Sequence, residues 1–326
     1  MITERSGKMV ISIKNLVKHY ENQLVLDRIN LEVNEGEIFG ILGPTASGKT
    51  TLMKCLLTLT AYDKGSIKIF NETVSPMKNS AKQRIGVCFD EDAFFETLNI
   101  YDNLLYFTNL YLKDKLKSEE AVKNVLDFLE IKETKKMIAS RLDGQNRKLL
   151  NLACGIAHKP DLLIIDGGVG NIDMKTRGRI LTKLLELKKS GMTILYLTHS
   201  VDDVEDICDR IAILDRGKIL AVGTKEELKK SISLGEKSRI RVYHMEEELL
   251  KEIRQIPGVF YASYEKEILT VKSKKGRNNL IHILQYLKEN DIATGEIISE
   301  LPTLYDVFWE MTGKPYGDKA VRTGGE

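Results

Sequence analysis

The stretch GILGPTASGKTT, residues 40–51, decides the fold. Its core, Gly43-Pro44-Thr45-Ala46-Ser47-Gly48-Lys49-Thr50, is a full match to G-x-x-x-x-G-K-[ST], and Thr51 continues it. The apolar run EIFGIL before it reads as a strand ending at Leu42, and a helix begins near Gly48. In that setting the glycines let backbone N–H groups turn inward around a phosphate, and the helix N-terminus adds its positive end. Lys49 reaches the β- and γ-phosphates, and the Thr50 hydroxyl ligates Mg²⁺. A chance glycine turn rarely completes this pattern between a strand and a helix. The expected ligand is a Mg²⁺-bound nucleoside triphosphate.

Working outward, short apolar runs alternate with longer helical patterns from Met9 to about Lys230. RIGVCF, DLLIID, TILYLTH and RIAILDRGKIL read as strands buried on both faces. Helices are expected over 49–59, 119–129, 145–158 and 175–189. This alternation predicts a parallel sheet covered by helices, an α/β P-loop NTPase fold. The opening segment VISIKNLVKHYENQLVLDRINLEVNEGE reads as strand, turn, strand, and so as an antiparallel β layer. Near SISLGEK the pattern resets, and the order βαββαβ predicts a small ferredoxin-like α+β domain. The expected domains are 9–230 and 236–315, with a loose tail over 316–326.

Bulk properties exclude several classes. The 326 residues carry a net charge of +2, so no global field marks a nucleic-acid binder, and no nucleic-acid partner is expected. The basic run at 272–277 reads as a solvated loop. Cys55, Cys88, Cys154 and Cys208 show no CxxC spacing and read as small core residues of a reducing compartment. No apolar run reaches the ~18 residues of a spanning helix, and the N-terminus lacks the apolar segment of a signal peptide. A soluble, cytoplasmic chain is expected, meeting a membrane only through a partner.

Beyond the phosphate loop, the stretch from about Met9 to Lys230 resembles the nucleotide-binding subunit of ABC transporters. That resemblance implies that Tyr20 stacks on adenine and that Asp166, at the end of LLIID, partners Mg²⁺. His199 in YLTHS matches the switch histidine that contacts the γ-phosphate, and Asp173 in GNID matches the D-loop aspartate. It also implies a helical subdomain and a second nucleotide-binding subunit, identical or different. A separate membrane permease is implied too, which would hold the chain on the inner face of the cell membrane.

Three family positions depart from the pattern. The signature LSGGQ is replaced by Arg141-Leu142-Asp143-Gly144-Gln145, so a serine hydroxyl is lost and a carboxylate is gained. At ~4 Å two like charges repel by about 4 kcal/mol at an effective dielectric near ~20. A lost hydrogen bond to a charged group costs roughly 1.5–3 kcal/mol more. Asp143 either faces the phosphate or caps its own helix. In IGVCFDEDAFF, Asp90 stands where the family has glutamine; it can ligate Mg²⁺ but donates no hydrogen bond. Asp166 is followed by Gly167, where the family has the glutamate that activates water. A general base contributes roughly 10²–10⁴-fold, so ATP binding with impaired hydrolysis is expected.

LPTLYDVFWEMTGK (301–314) resembles the ending of ATP-binding subunits of drug- and sodium-export ABC systems, which pair separate ATPase and permease chains. Leu304, Val307, Phe308 and Met311 also form one apolar helix face. The expected function is an ATP-binding exporter subunit, contacting its permease through residues 90–95. Ala93, Phe94 and Phe95 there fit a docking surface and core packing equally. The rival is a pseudo-ATPase that uses ATP binding to switch a soluble partner. Lys49→Ala removes the one charge aimed at the β/γ-phosphates. It should weaken MgATP binding at least about tenfold by calorimetry; equal affinity would remove the phosphate-loop assignment.

Overall fold

The computed structural model describes residues 8–74, 79–169, 172–275 and 279–313, and the expected tail at 316–326 lies outside them. The chain divides into two compact units, Met1–Thr224 and Lys225–Glu326.

In the first unit, β1 (Met9–Tyr20) and β2 (Gln23–Asn34) pair antiparallel. They are followed by β3 (Ile38–Leu42), α1 (Lys49–Leu56), β4 (Lys64–Ile69), β5 (Glu72–Thr73), α2 (Asn79–Lys82) and β6 (Ile85–Cys88). A helical stretch comes next: α3 (Ile100–Leu112), α4 (Lys115–Phe128), two 3-10 turns and α5 (Gly144–Ile156). The unit closes with β7 (Leu162–Asp166), α6 (Met174–Lys189), β8 (Thr193–Thr198), α7 (Val201–Ile207), β9 (Arg210–Asp215) and β10 (Lys218–Gly223).

Two sheets result. One is antiparallel, in the order β2-β1-β4-β5; the other runs β10-β9-β3-β8-β7-β6. In the second, β3, β6, β7, β8 and β9 are parallel and β10 returns antiparallel. Alternate residues of its strands (Phe39 and Ile41, Leu162 and Ile164, Leu195 and Leu197) join one core with Ile11, Ile13 and Leu31 of the antiparallel layer. Leu52, Met53, Cys55 and Leu56 of α1 belong to that same core, so the helix is packed between the two sheets. Burying each such aliphatic side chain contributes about 1.5–3 kcal/mol. That burial holds a short helix which would not persist alone in water.

RIAILDRGKIL, expected as one strand, is a hairpin. Arg216 and Gly217 both take positive φ, 47° and 74°, the two-residue turn that matches strand twist. Helix α3, over IYDNLLYFTNLYL, adds to the four helical ranges expected above. Its Tyr, Phe, Asn and Thr residues are weak helix formers. The helix is fixed locally by Asn99, whose side chain accepts from the Asp102 N–H at 2.8 Å.

The second unit contains α8 (Lys225–Ser231), β11 (Leu234–Val242), α9 (Glu247–Gln255), β12 (Val259–Glu265), β13 (Ile268–Lys274), α10 (Leu280–Glu289), β14 (Thr294–Glu300) and α11 (Leu304–Thr312). Its sheet is fully antiparallel in the order β12-β13-β11-β14, the ferredoxin-like arrangement expected from βαββαβ. Ile240, Val242, Ile253, Leu269, Val271, Ile283 and Leu287 fill its core. At α11, Thr303 and Asp306 form a reciprocal capping box, and Asp306 also accepts from Lys272 at 3.0 Å. Glu310 of α11 accepts from the Ser233 N–H and hydroxyl, both at 2.8 Å.

These contacts decide where an independently folding fragment should begin. Opening the chain at residue 236 removes buried Leu228, Ile232 and Leu234 together with the Ser233–Glu310 bonds. A 225–313 fragment should therefore unfold cooperatively by circular dichroism, and a 236–313 fragment should melt lower. A featureless melt for the longer fragment would show that the unit does not fold alone.

Candidate nucleotide site

The parallel register brings four strand ends side by side: Leu42 pairs with Thr198, Leu197 with Asp166, and Ile165 with Cys88. Ligands of open α/β sheets bind beyond such carboxyl ends. The phosphate loop leaves β3, His199 follows β8, Asp166 ends β7, and Asp90 lies two residues past β6.

The loop is shaped by close backbone approaches. A Cβ at position 43 would lie 2.3 Å from the Leu214 carbonyl oxygen and 2.6 Å from Ser47 Oγ, so only glycine fits. Gly48, at φ 110°, is the N-cap of α1, and Ala46 is also left-handed at φ 62°. No side chain caps α1, which leaves its first N–H groups, those of Lys49, Thr50 and Thr51, free to meet a phosphate. The Gly217 turn braces the loop: its N–H donates to the Ser47 carbonyl at 2.9 Å, and its carbonyl accepts from Asp27 N–H at 2.8 Å. Sequence reading missed this brace, for which the DRG turn was the available signal.

Lys49 Nζ donates to the Gly43 and Pro44 carbonyls at 2.8 and 2.9 Å, and so closes the loop on itself. Desolvation pushes its pKa down to about 8, opposed by the nearby Asp166 charge. An anionic phosphate oxygen is a stronger partner for an ammonium than a carbonyl. Asp166 is buried, and that burial raises its carboxyl pKa against a hydrogen bond from Thr50 and the Lys49 charge. This hydroxyl and carboxylate form an all-oxygen donor pair suited to a hard divalent cation. Tyr20 is exposed at the end of β1, with the Lys18 ammonium 4.8 Å from its ring centre. His199 is exposed as well, and Asp173 caps α6 by accepting from the Lys175 and Thr176 N–H groups at 3.0 and 3.1 Å.

At the departures the geometry is specific. Gly167 has φ 98°, and a Cβ there would lie 2.2 Å from Asp90 Oδ1 and 2.5 Å from Asp90 Cβ. The Asp90 carboxylate therefore fills the space that a side chain at 167 would enter. Lys148 of α5 donates to the Asp90 carbonyl at 2.7 Å and to Oδ1 at 3.1 Å. Of the two readings of Asp143, the structure shows the cap: its carboxylate accepts from Asn146 N–H at 2.8 Å and Asn146 Nδ2 at 3.0 Å. Leu142 is only 6% exposed and faces the core. Gln145 accepts from the Thr176 hydroxyl at 2.8 Å, linking the starts of α5 and α6.

The segment 93–95 divides between the two readings. Phe94 is buried under the Arg147 guanidinium, 5.3 Å from its ring centre, in keeping with the packing alternative of the two. Phe95 is 43% exposed and meets Tyr106 edge-on at 4.9 Å and Phe107 at 5.9 Å. Arg147 also pairs with Asp92 at 2.6 Å and Glu96 at 2.5 Å. A second polar network went unread in the sequence. Fully buried Asp203 accepts from Tyr196 Oη at 3.0 Å, Arg177 Nε at 2.8 Å and Val169 N–H at 3.3 Å. It ties the segment after Asp166 to α6 and α7; one aspartate among the four acidic residues of VDDVEDI gave no signal of this.

A phosphate loop, an acidic strand end and a histidine on adjacent parallel strands define an ATPase cassette. The ABC transporter family profile matches residues 26–169. Methionine import ATP-binding protein MetN of Clostridium tetani is 30% identical over 67% of this chain and 70% of its own length. Nod factor export ATP-binding protein I of Burkholderia lata is 31% identical over 67% and 72%. Linearmycin resistance ATP-binding protein LnrL of Bacillus subtilis is 27% identical over 95% of this chain and 100% of its own. The fold matches CbiO1 from Clostridium perfringens (TM-score 0.63, 21% identity, 77% of this chain and 96% of that one). It also matches a nucleotide-free ATP-binding cassette from an ABC transporter (TM-score 0.62, 24% identity, 68% and 94%). The chain belongs to the ATP-binding subunits of ABC transporters.

Reverting the signature tests its structural roles. Leu142→Ser should destabilise by about 2–5 kcal/mol in urea unfolding, because it empties a core position. Asp143→Gly should cost only ~0.3 kcal/mol, since glycine is a tolerable N-cap. Equal losses would contradict the assignments.

Proposed function

We propose that this chain is the ATP-binding subunit of a two-component ABC exporter, coupling ATP binding to a separate permease while hydrolysing ATP weakly. The observation that carries the reading is the pairing of a complete phosphate loop with a position 167 that has neither a side chain nor space for one. In this reading the α1 N-terminus and Lys49 hold the phosphates, and Tyr20 stacks on the base. Thr50 and Asp166 hold Mg²⁺, which supplies charge neutralisation at the phosphates. His199 faces the γ-phosphate, and a second nucleotide-binding subunit, identical or different, closes over it.

Export is supported by the second unit. The import protein MetN aligns over 224 residues, whereas LnrL aligns over 311 and spans the C-terminal unit as well. Its name describes linearmycin resistance, and Nod factor export protein I is export-type by name. Exposed Phe95 and Tyr106, packed against half-buried Phe107, offer with exposed Leu110 an apolar face for a permease loop.

Two measurements test the reading together. The purified chain should bind MgATP yet turn over well below about 1 s⁻¹, the lower edge of ordinary enzyme rates. From detergent-solubilised membranes it should co-purify with a polytopic membrane protein. Phe95→Glu should break that association while MgATP binding persists. Turnover at or above about 1 s⁻¹ that Lys49→Ala abolishes would overturn the weak-hydrolysis reading.

A further inference from the structure

Asp90 and Gly167 lie far apart in sequence but adjoin in the sheet, because β6 and β7 pair in register with Cys88 opposite Ile165. Three hydrogen bonds from α5 pin the backbone around Asp90. Asn151 Nδ2 donates to the Phe89 and Glu91 carbonyls at 2.8 and 3.1 Å, and Lys148 Nζ donates to the Asp90 carbonyl at 2.7 Å. The Lys148 ammonium also holds Asp90 Oδ1 at 3.1 Å. The carboxylate so fixed lies where a Cβ at 167 would be, 2.2 Å from that point. It stands at the same end of the sheet as Asp166, since β6 and β7 are paired neighbours that end at Cys88 and Asp166. The Asp90 side chain is 67% exposed, open to water and to proton release.

We propose that Asp90, positioned by Lys148, supplies the carboxylate this site lacks at 167 and accepts the proton of the water that attacks ATP. The proposal rests on the ATP-binding reading above and assigns the residual turnover to a residue. In the step, the water oxygen bonds to the γ-phosphorus and the bond from that phosphorus to the β–γ bridging oxygen breaks. ADP leaves with the electron pair. The water proton passes to an Asp90 carboxylate oxygen and from there to solvent. A glutamate rooted at 167 would carry its carboxylate beyond its Cβ, whereas the Asp90 carboxylate begins at that Cβ position. It is therefore offset from the place such a glutamate carboxylate would take, which accounts for slow rather than absent hydrolysis. The ion pair to Lys148 limits the orientations of a solvent-exposed side chain, and that is the positioning role.

The test is turnover under saturating MgATP, with MgATP affinity measured in parallel on the full chain. Asp90→Asn should lower kcat at least about tenfold, within the range for a lost general base, while affinity stays near wild type. Asp90→Glu, with the carboxylate one methylene farther out, should keep or raise kcat. Lys148→Met should lower kcat with affinity unchanged, and Lys148→Arg should recover it, an outcome that damage to the fold would not give. Gly167→Glu alone should not raise kcat, because its Cβ meets Asp90. Turnover of Asp90→Asn equal to wild type, including both at background, overturns the proposal, as does a faster Gly167→Glu. If wild type fails to bind MgATP, the ATP-binding reading itself falls; binding with Asp90-independent turnover removes this proposal alone.

Discussion

The site depends on the register of four parallel strands, β3, β8, β7 and β6. These strands are buried on both faces, so a one-residue slip would exchange the residues facing α1 with those facing the opposite side. Phe39 and Ile41 must face α1 while Gly40 packs against Cys208 and Val204, where a Cβ would lie 2.8 Å from the Cys208 sulfur. Once that pattern is met, the chain positions just past each strand are placed without further choice. A loop lysine, a histidine, an aspartate and a second aspartate converge because apolar packing beneath them allows one alignment.

The same packing sets the loop's conformation. A run of N–H groups turned inward has no internal acceptor, so the backbone must be braced from outside. Here the brace comes from Gly43 pressed against Leu214, Gly48 against Leu26, and the Gly217 turn bonded to Ser47. Each contact requires glycine for space or for positive φ. Lys49 completes the arrangement by satisfying the Gly43 and Pro44 carbonyls; desolvation lowers its pKa to about 8, and the Asp166 charge opposes that loss.

Features that arise from local chemistry were legible in the sequence. The phosphate loop carries its own pattern, and the second unit followed from βαββαβ order. Features that arise from contact between distant segments were not. Asp215-Arg216-Gly217 hints at a turn, but nothing local shows that β2 receives it. Asp203 resembles any acidic residue in an exposed helix start until Tyr196 and Arg177 enclose it. Asp143 had two local readings, and the choice was made by the free N–H of Asn146. Gly167 read as an absence, although in the fold its space is occupied by Asp90 from the segment after β6.

That occupancy changes the meaning of the departures from the hydrolytic pattern, because each has acquired structural work in the folded chain. Leu142 adds apolar burial of about 1.5–3 kcal/mol, Asp143 adds an N-cap of about 1 kcal/mol, and the exposed Asp90–Lys148 pair adds between about 0 and 1 kcal/mol. The first two act at the start of α5 and the third fastens the segment after β6 to that same helix. Arg147 strengthens this attachment through Asp92 and Glu96. Restoring one family residue therefore removes a stabilising contact before it supplies a catalytic one. At Gly167 it also introduces a collision and an unfavourable φ. The residues around α5 are coupled through shared contacts, so their effects on stability and turnover cannot be additive.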